Sequence, residues 1–450
     1  MNMTVNTRNI ILDALIEINE KKGFTHMVLS DVLSKYRFLQ AEDRSFISRT
    51  VLGTVERKIT IDYILNLFSK VKTDKMKPVI RNILRMSVYQ LIYMKGVKEF
   101  AVCNEAVKLA SKRGFATLKG FVNGVLRNIS REKDNIAYPD RNNKVAYLSV
   151  AYSTPEWIVE KWIKEFHFEK AEEMLKAQFA DRPLTIRCNT LNRRKDELAD
   201  RLRNQGITVN DKLCIEEALE ISGYDSLDKI KEFEDGDFFV QDLSSMLVCY
   251  GAMPKKNDYI IDVCAAPGGK SLHMAEILAG TGFVEARDLS ERKTALINEN
   301  IQRLGLKNIK ATVMDARIPD ADAVNKADIV IADLPCSGLG ILNKKPDIKY
   351  NTSPDKCDEL AALQKEILKV ASQYVKKDGI LCYSTCTVNK SENEENVRWF
   401  IKEFPFEIVD IKDRMPKEMH RFINDEGMMQ ILPDENGNYD GFFITVLKRK

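Results

Sequence analysis

The chain has 450 residues, 69 Lys and Arg against 66 Asp and Glu, and 44% hydrophobic residues. That length exceeds one ordinary core and predicts two or three domains, and the balance of charged and apolar residues predicts a soluble globular protein. Nine cysteines without a C-x-x-C pair, the closest being Cys382 and Cys386, exclude a zinc ribbon, a radical iron–sulfur motif and a secreted disulfide framework.

No apolar run is long enough to span a bilayer. Residues 1–20 are polar with scattered aliphatics and lack the basic and apolar regions of a secretion signal, so a reducing cytoplasm is the expected compartment. Charge is unevenly spread. Residues 1–130 hold 22 Lys and Arg against 11 Asp and Glu, a net of +11, which leaves the remainder at −8. A basic front joined to a mildly acidic back suggests a polyanion-binding module on an enzyme; the plainer reading is a solvated basic surface.

The first segment is a series of amphipathic helices. Ile10, Leu12, Leu15, Ile16 and Ile18 are helically spaced, and helices follow over Val28–Leu33, Ala41–Arg57, Ile59–Phe68, Val79–Met94, Val102–Ala110 and Phe115–Ile129. Pro78 stands at a good first-turn position. No strand pattern intervenes, so residues 1–135 are predicted to be an all-α bundle. Lys70, Lys72, Lys75, Lys77, Arg81, Arg85, Lys112, Arg113, Lys119 and Arg127 are read as lying on its loops and helix ends, where phosphate contact needs only such charges.

Residues 136–235 are predicted to be a linker and small α/β subdomain. Tyr138–Asn143 is a linker signal, two helices cover Pro155–Phe166 and Phe168–Phe179, and Arg182–Leu191 alternates as a strand. Asn192 is placed as the cap of a helix to Arg203, with Gly206 ending it. Arg187, Arg193 and Arg194 form a basic junction that either guides RNA or packs beneath the larger domain.

Residues 236–450 alternate strand and helix. Strands are expected at 238–240, 259–263, 282–286, 309–313, 328–333 and 380–383, with helices at 243–250, 271–278, 291–304, 355–375 and 392–400. Late strands near 406–409, 428–431 and 442–446 finish a mainly parallel sheet with helices on both faces. In such a sheet ligands bind beyond the carboxyl ends of the strands. The run Asp262-Val263-Cys264-Ala265-Ala266-Pro267-Gly268-Gly269-Lys270 is a strand, a Gly turn and a helix start, but has neither G-x-G-x-x-G nor P-loop spacing. The turn alone is equally an ordinary structural feature or a cofactor loop. Four more strand ends carry polar chemistry: Asp288, Asp315, Asp333 with Cys336, and Cys386. Singly each acid is a helix cap or a solvated loop residue. Together they fit an adenosine-type cofactor, with Asp288 for the ribose diol and Asp315 near the adenine amine. His26, His167, His273 and His420 are scattered, so no metal site is expected.

The stretch Asp262–Lys270, the loop Asp333-Leu334-Pro335-Cys336-Ser337-Gly338 and the loop Ser384-Thr385-Cys386 resemble the S-adenosylmethionine-dependent RNA cytosine-5 methyltransferases. Arg187–Leu191 resembles that family's N-terminal motif, and Asp440-Gly441-Phe442-Phe443 its final strand. Asp43-Arg44, Arg85–Leu91 and Phe121–Arg127 resemble the NusB-like RNA-binding helical module. The pairing is similar to the bacterial 16S ribosomal RNA cytosine-5 methyltransferases. It implies three regions: a NusB-like helical bundle, a small α/β linker subdomain, and an α/β Rossmann-like class I methyltransferase domain. Two departures stand out: Leu334, where the family usually has proline, and the run Asn436–Tyr439, where many members carry His-Gly-Thr.

The resemblance implies S-adenosyl-L-methionine as cofactor, cradled by Cys264, Ala265, Ala266, Pro267, Gly268, Gly269, Lys270, Asp288, Asp315 and Asp333. It implies 16S ribosomal RNA or an early small-subunit assembly intermediate as partner, no membrane, and a monomer. Cytosine C5 is a poor nucleophile, and adding a thiolate at C6 activates it. By resemblance Cys386 is that nucleophile and Cys336 assists product release. Asp333 is placed at the cytosine N3/N4 edge, and Lys270 either lowers the thiolate pKa or holds the cofactor's carboxylate. Physics alone does not rank the two cysteines, because in the DNA cytosine-5 enzymes the Pro-Cys cysteine itself attacks. The alternatives are the same chemistry on tRNA or another RNA, or a non-catalytic RNA-binding assembly factor.

Overall fold

The computed structural model describes residues 6–434 and 439–450. Residues 436–438 of the Asn436–Tyr439 run lie outside the described residues. The chain divides into two compact units: Met1–Phe179 with Leu342–Asn351, and Ala180–Ile341 with Thr352–Lys450. No helix among the described residues is long and apolar enough to cross a membrane.

The first unit is helical. Seven helices, Thr7–Lys21, Thr25–Lys35, Ala41–Glu56, Lys58–Phe68, Pro78–Tyr93, Glu99–Lys112 and Lys119–Glu132, close around a core that includes Leu15, Val51, Ile64, Leu84 and Leu126. Apolar residues three and four apart supply the buried stripe of each, most fully in Pro78–Tyr93. A further helix, Lys144–Ala151, is set within a stretch whose composition reads as polar linker; the Asn143 side chain accepts the Ala146 N–H and starts it. The two helices expected on either side of His167 are present, meeting at a kink where that residue has φ 64°.

Three of the basic residues expected to be free for phosphate are spoken for. Arg85 is inside the helix Pro78–Tyr93, buried, with both carboxylate oxygens of Asp62 at 2.7 Å. Arg81, one turn earlier, pairs with Glu20. They face acids on neighbouring helices, which a single helix's sequence does not reveal. Lys70, Lys72, Lys75, Lys77, Lys112, Lys119 and Arg127 are exposed. Arg113 pairs with Asp13.

Leu342–Asn351 completes this unit from far along the chain. Lys349 is buried and gives its ammonium to the Glu56 carbonyl at 3.0 Å and the Gln178 side-chain oxygen at 3.2 Å. Burial pushes its pKa down to about 7. The Tyr350 hydroxyl meets that of Ser153 at 3.2 Å.

The second unit holds two sheets. Strands β1 (Leu184–Cys188), β2 (Thr208–Asn210), β3 (Ala218–Ser222) and β4 (Phe238–Val240) form an antiparallel sheet in the order β2-β3-β1-β4. The sequence pattern puts the strand at Phe238 at the start of the parallel sheet. It closes the small one instead, pairing Ile186 with Val240. Its Phe238 packs with Ile186, Leu198 and Leu219, while Phe239 turns to the larger core, so both faces are apolar and the short run carries no sign of its partner. Helix Lys195–Asn204 has Arg194 at its N-cap. Asn192 is not its cap; its amide reaches the Gly236 carbonyl at 3.3 Å.

The larger sheet comprises β5 (Tyr259–Asp262), β6 (Phe283–Asp288), β7 (Ile309–Val313), β8 (Ala327–Asp333), β9 (Val375–Thr385), β10 (Phe406–Val409), β11 (Met429–Ile431) and β12 (Phe442–Arg449). Its order is β10-β12-β9-β8-β5-β6-β7, with β11 on β12. The run from β7 to β9 is parallel and β12 is antiparallel to β9. Buried clusters lie on both faces, one including Ile260, Leu272 and Ile331, the other Ile261, Val330 and Leu381. Alternate residues of the same strands feed the two clusters, as a doubly covered sheet requires. From β5 the chain winds outward through β6 and β7, then returns to β8 on the other side. The β5–β8 boundary is therefore a topological switch point, where a crevice opens beyond the carboxyl ends.

Candidate active site

Five parallel strands end side by side in the polar groups singled out from the sequence. β5 leads into the Gly turn, β6 ends on Asp288, β7 is followed by Asp315, β8 ends on Asp333, and β9 is followed by Cys386. The ladder holds their register: Asp333 lies opposite Ser384, and Asp262 has Ile331 on one side and Ala286 on the other.

The turn after β5 folds back on itself. Gly268 has φ 108°, a conformation that residues with a side chain rarely adopt, and it opens helix Gly269–Leu278. A Cβ on Gly268 would come 3.0 Å from Leu272, and one on Gly269 would come 3.4 Å from Phe239. Conformation and a tight contact call for glycine at 268, whereas a Cβ at 269 would make only ordinary van der Waals contact. Arg187 supports the turn from below. It is fully buried, grips both oxygens of Glu276 at 2.7 and 3.1 Å, donates to the Gly269 carbonyl at 3.1 Å and contacts Gln241. Of the two roles open to it, the structure gives packing beneath the larger domain. Arg193 pairs with Asp237 at 2.6 Å, and Arg194 stays exposed beside Asp196.

Asp288 is nearly buried. Its Oδ2 accepts the Ala266 N–H at 3.0 Å, and its Oδ1 accepts the Leu289 N–H at 2.7 Å with Lys293 at 3.1 Å. A carboxylate offers about four acceptor positions, so one remains on Oδ2 for a further hydroxyl. Asp315 is held by Arg317, which keeps its pKa below the ordinary carboxylate value. Cys264 is half-buried; burial, then the charges of Asp262 and Asp288, raise its thiol pKa, which makes it a poor thiolate.

Asp262 lies beneath the turn, wholly buried, accepting the Ser271 hydroxyl at 2.5 Å and the Cys264 N–H at 3.3 Å. Burial pushes its pKa up to about 7. The folded chain therefore binds this proton more tightly than the unfolded one. The stability it contributes is full below the unfolded carboxyl pKa and is lost as pH rises through about 7. Asp262→Asn should flatten that slope, so thermal midpoints of variant and parent should shift in the variant's favour between pH 5 and 8, whereas parallel profiles would contradict the assignment.

At the switch point Lys270 and Asp333 form a close pair, Nζ to Oδ2 2.6 Å, and the Ser384 hydroxyl donates to the other Asp333 oxygen at 2.7 Å. Burial works against the lysine's charge, yet Asp333, then Asp262 and Cys386, hold its pKa above the ordinary value. The ring of Phe442 lies 5.4 Å from its ammonium. The Cys336 and Cys386 sulfurs are 3.2 Å apart, each half-buried. Hydrogen bonding to Cys386, then burial, raises the Cys336 thiol pKa well above the ordinary value. Leu334 gives its N–H to the Ser384 carbonyl at 3.2 Å, a bond that the usual proline has no proton to make. Beyond Cys336, Gly340 donates to the Cys386 carbonyl at 3.1 Å and accepts from Gly441 at 2.7 Å. A Cβ on Gly340 would stand 2.1 Å from the Gly441 carbonyl, so the two glycines allow the loops to touch.

Residues that the sequence does not single out complete the floor of the site. Glu392, Gln364 and Asn393 are buried polar groups within hydrogen-bonding reach of the two cysteine loops. The sequence pattern starts a helix at Glu392; that helix begins at Glu394, leaving Glu392 in the loop.

Comparison with known proteins gives a family model for each region. The model described as 16S rRNA methyltransferase RsmB/F matches residues 250–448, the NusB family matches 5–131, and the RsmF/B-like ferredoxin-like domain matches 154–226. The crystal structure described as that of PH0851 superposes with a TM-score of 0.83 at 25% identity, covering 100% of both chains. The structure of NSun6 from Pyrococcus horikoshii with SFG superposes at TM-score 0.58 and 23% identity, over 66% of this chain and 98% of that one, and shows the same fold. The chain is 32% identical to the probable ribosomal RNA small subunit methyltransferase B of Synechocystis sp. (strain ATCC 27184 / PCC 6803 / Kazusa), covering 99% of this chain and 100% of the relative. It is 38% identical to the protein of the same description from Bacillus subtilis (strain 168), covering 98% of each. Identity at that level along the whole length places this chain in the 16S rRNA methyltransferase RsmB/F family.

Proposed function

We propose that the chain transfers a methyl group from S-adenosyl-L-methionine to C5 of a cytosine in 16S ribosomal RNA, through a covalent bond between Cys386 and cytosine C6. The observation that carries this reading is the pair of sulfurs 3.2 Å apart at the ends of neighbouring strands, beside the Lys270–Asp333 pair. One ordinary nucleophile would need a single cysteine there. C5 methylation needs one group to add to the ring and another to help release it.

The residues present fit the cofactor: Asp288 keeps acceptor capacity for a ribose hydroxyl, and Asp315 stands at the next strand end. Cys264 to Lys270 line the intended methionine end, with Asp333 at the boundary between cofactor and base. When bound, S-adenosylmethionine supplies an electrophilic methyl group. In this reading Cys386 attacks C6 as the thiolate, and Lys270, cationic and close by, favours that charge. Asp333, held by Lys270 and Ser384, meets the N3/N4 edge of the base. Once C5 carries the methyl group, its proton must leave and the Cys386–C6 bond must break to return the thiolate, and Cys336 assists that release.

The domain roles follow the same reading. Residues 1–135 bind RNA, 136–235 link, and 236–450 catalyse. The exposed Lys70, Lys72, Lys75 and Lys77 run is the first candidate for phosphate contact. The chain is taken to act as a monomer in the cytoplasm, on free RNA or an assembling small subunit. The test is methyl transfer from labelled S-adenosylmethionine to 16S RNA, small-subunit particles and tRNA prepared from a strain lacking the protein, followed by bisulfite-type mapping. A defined 5-methylcytosine in 16S RNA is expected. Labelling of tRNA alone, of an atom other than C5, or of no RNA overturns the reading.

A further inference from the structure

Behind the two sulfurs lies a buried carboxylate to which none of these roles gives a task. Glu392 is 0% exposed. Its Oε2 accepts the Ser337 N–H at 2.8 Å and the Gln364 side-chain amide at 3.1 Å. Its Oε1 accepts the Asn389 side-chain amide at 2.9 Å and the Ser337 hydroxyl. Among the described residues these partners are neutral, and none is a Lys or Arg. A buried carboxylate held only by neutral donors is costly, so its retention here needs a reason beyond packing.

The partners suggest the reason. Ser337 directly follows Cys336, and its hydroxyl also lies 2.7 Å from that of Thr387, which directly follows Cys386. Gln364 reaches on to the Pro335 carbonyl at 2.9 Å, directly before Cys336. Directly at Ser337, and through Ser337 and Gln364 at Thr387 and Pro335, one carboxylate is linked to residues flanking both sulfurs. Lys270 interacts electrostatically with Cys386, and Glu392 with Cys336.

We propose that Glu392 is a positioning residue: it clamps the Cys336 loop to the Cys386 loop and opposes a second negative charge on Cys336, so that the attacking thiolate is Cys386. This rests on the reading of the site as a two-cysteine methyltransferase. It also supplies an electrostatic rank for two cysteines that are otherwise alike in chemistry and exposure.

The test uses the full-length protein and reads the thiols directly. The pH dependence of iodoacetamide alkylation at Cys336 and Cys386 is followed by mass spectrometry of the peptides, alongside kcat and KM for RNA. In the parent protein Cys386 should alkylate first. In Glu392→Gln the ratio of Cys336 to Cys386 labelling should rise about tenfold, equivalent to one pK unit, and kcat should fall with KM for RNA unchanged. Glu392→Asp, which keeps the charge, should restore the parental labelling order even where its shorter reach slows turnover. It also keeps the test open if the Gln variant folds poorly. An unchanged labelling ratio in a folded Glu392→Gln protein, or a Glu392→Asp protein that behaves like Gln, overturns the proposal. A parent protein that methylates no RNA would instead overturn the functional reading, and the labelling order would still be measurable.

Discussion

Cys386→Ala should abolish methyl transfer and form no covalent RNA adduct, whereas Cys336→Ala should trap the RNA on the protein. The two sulfurs sit 3.2 Å apart, so a substrate carbon within reach of one is within reach of both. Proximity therefore does not separate their roles. What separates them is the order of events: the nucleophile is needed to enter the adduct and the partner to leave it. Loss of the attacking group should cost at least about 10⁴-fold in kcat, by comparison with nucleophile deletions in other covalent enzymes. Denaturing gels of labelled RNA with each variant give the readout. Retained turnover in Cys386→Ala, or adduct in Cys386→Ala and none in Cys336→Ala, would reverse the assignment.

The second large effect concerns stability. Arg187→Ala removes a fully buried guanidinium and leaves Glu276, itself buried, without its cation. Breaking a buried pair from one side typically costs about 3–5 kcal/mol, because the remaining charge stays desolvated. The Gly269 carbonyl loses a donor in the same step. Denaturant unfolding should show a matching fall in midpoint, and cofactor affinity should weaken because the turn above loses its support. Replacing both partners, Arg187→Met with Glu276→Leu, should recover much of the stability, since no charge is then left buried. If the single and double variants are equally unstable, the pair is not what holds the turn.

The strand ends are the legible part of this protein. A buried parallel strand is an apolar run, and where it stops the next polar residues lie at the sheet's carboxyl edge. Asp262, Asp288, Asp333 and Cys386 align on that rule from the order of residues alone. The architecture of helical front, small sheet and large sheet follows from periodicity and from resemblance together. What stays hidden depends on partners remote in sequence. Phe238–Val240 is apolar on both faces and fits either sheet; only its pairing with β1 decides. Arg85 reads as a surface charge until Asp62 is brought against it, and the choice between the two roles of Arg187 waits on Glu276. Glu392 reads only as the start of a helix, and its four donors come from three separate segments of the chain. Local patterns report which residues are apolar or charged, but not which charge is answered.

The insertion of Leu342–Asn351 into the helical unit has a consequence for how the protein is made. The chain leaves that unit at Phe179, builds β1 to β8, returns for ten residues, and only then lays down β9. During synthesis the helical unit must wait for Lys349 and Tyr350 to cover the Glu56 carbonyl and Ser153. The larger sheet, meanwhile, is still missing the strand that carries Cys386. Domains usually fold in order as they emerge from the ribosome. Here the helical unit is complete once Asn351 has emerged, but only after β1 to β8 have been made, because its last piece is encoded in the middle of the other unit. A break at any single point cannot yield two intact halves, so birth order and assembly are tied together by the path of the chain itself.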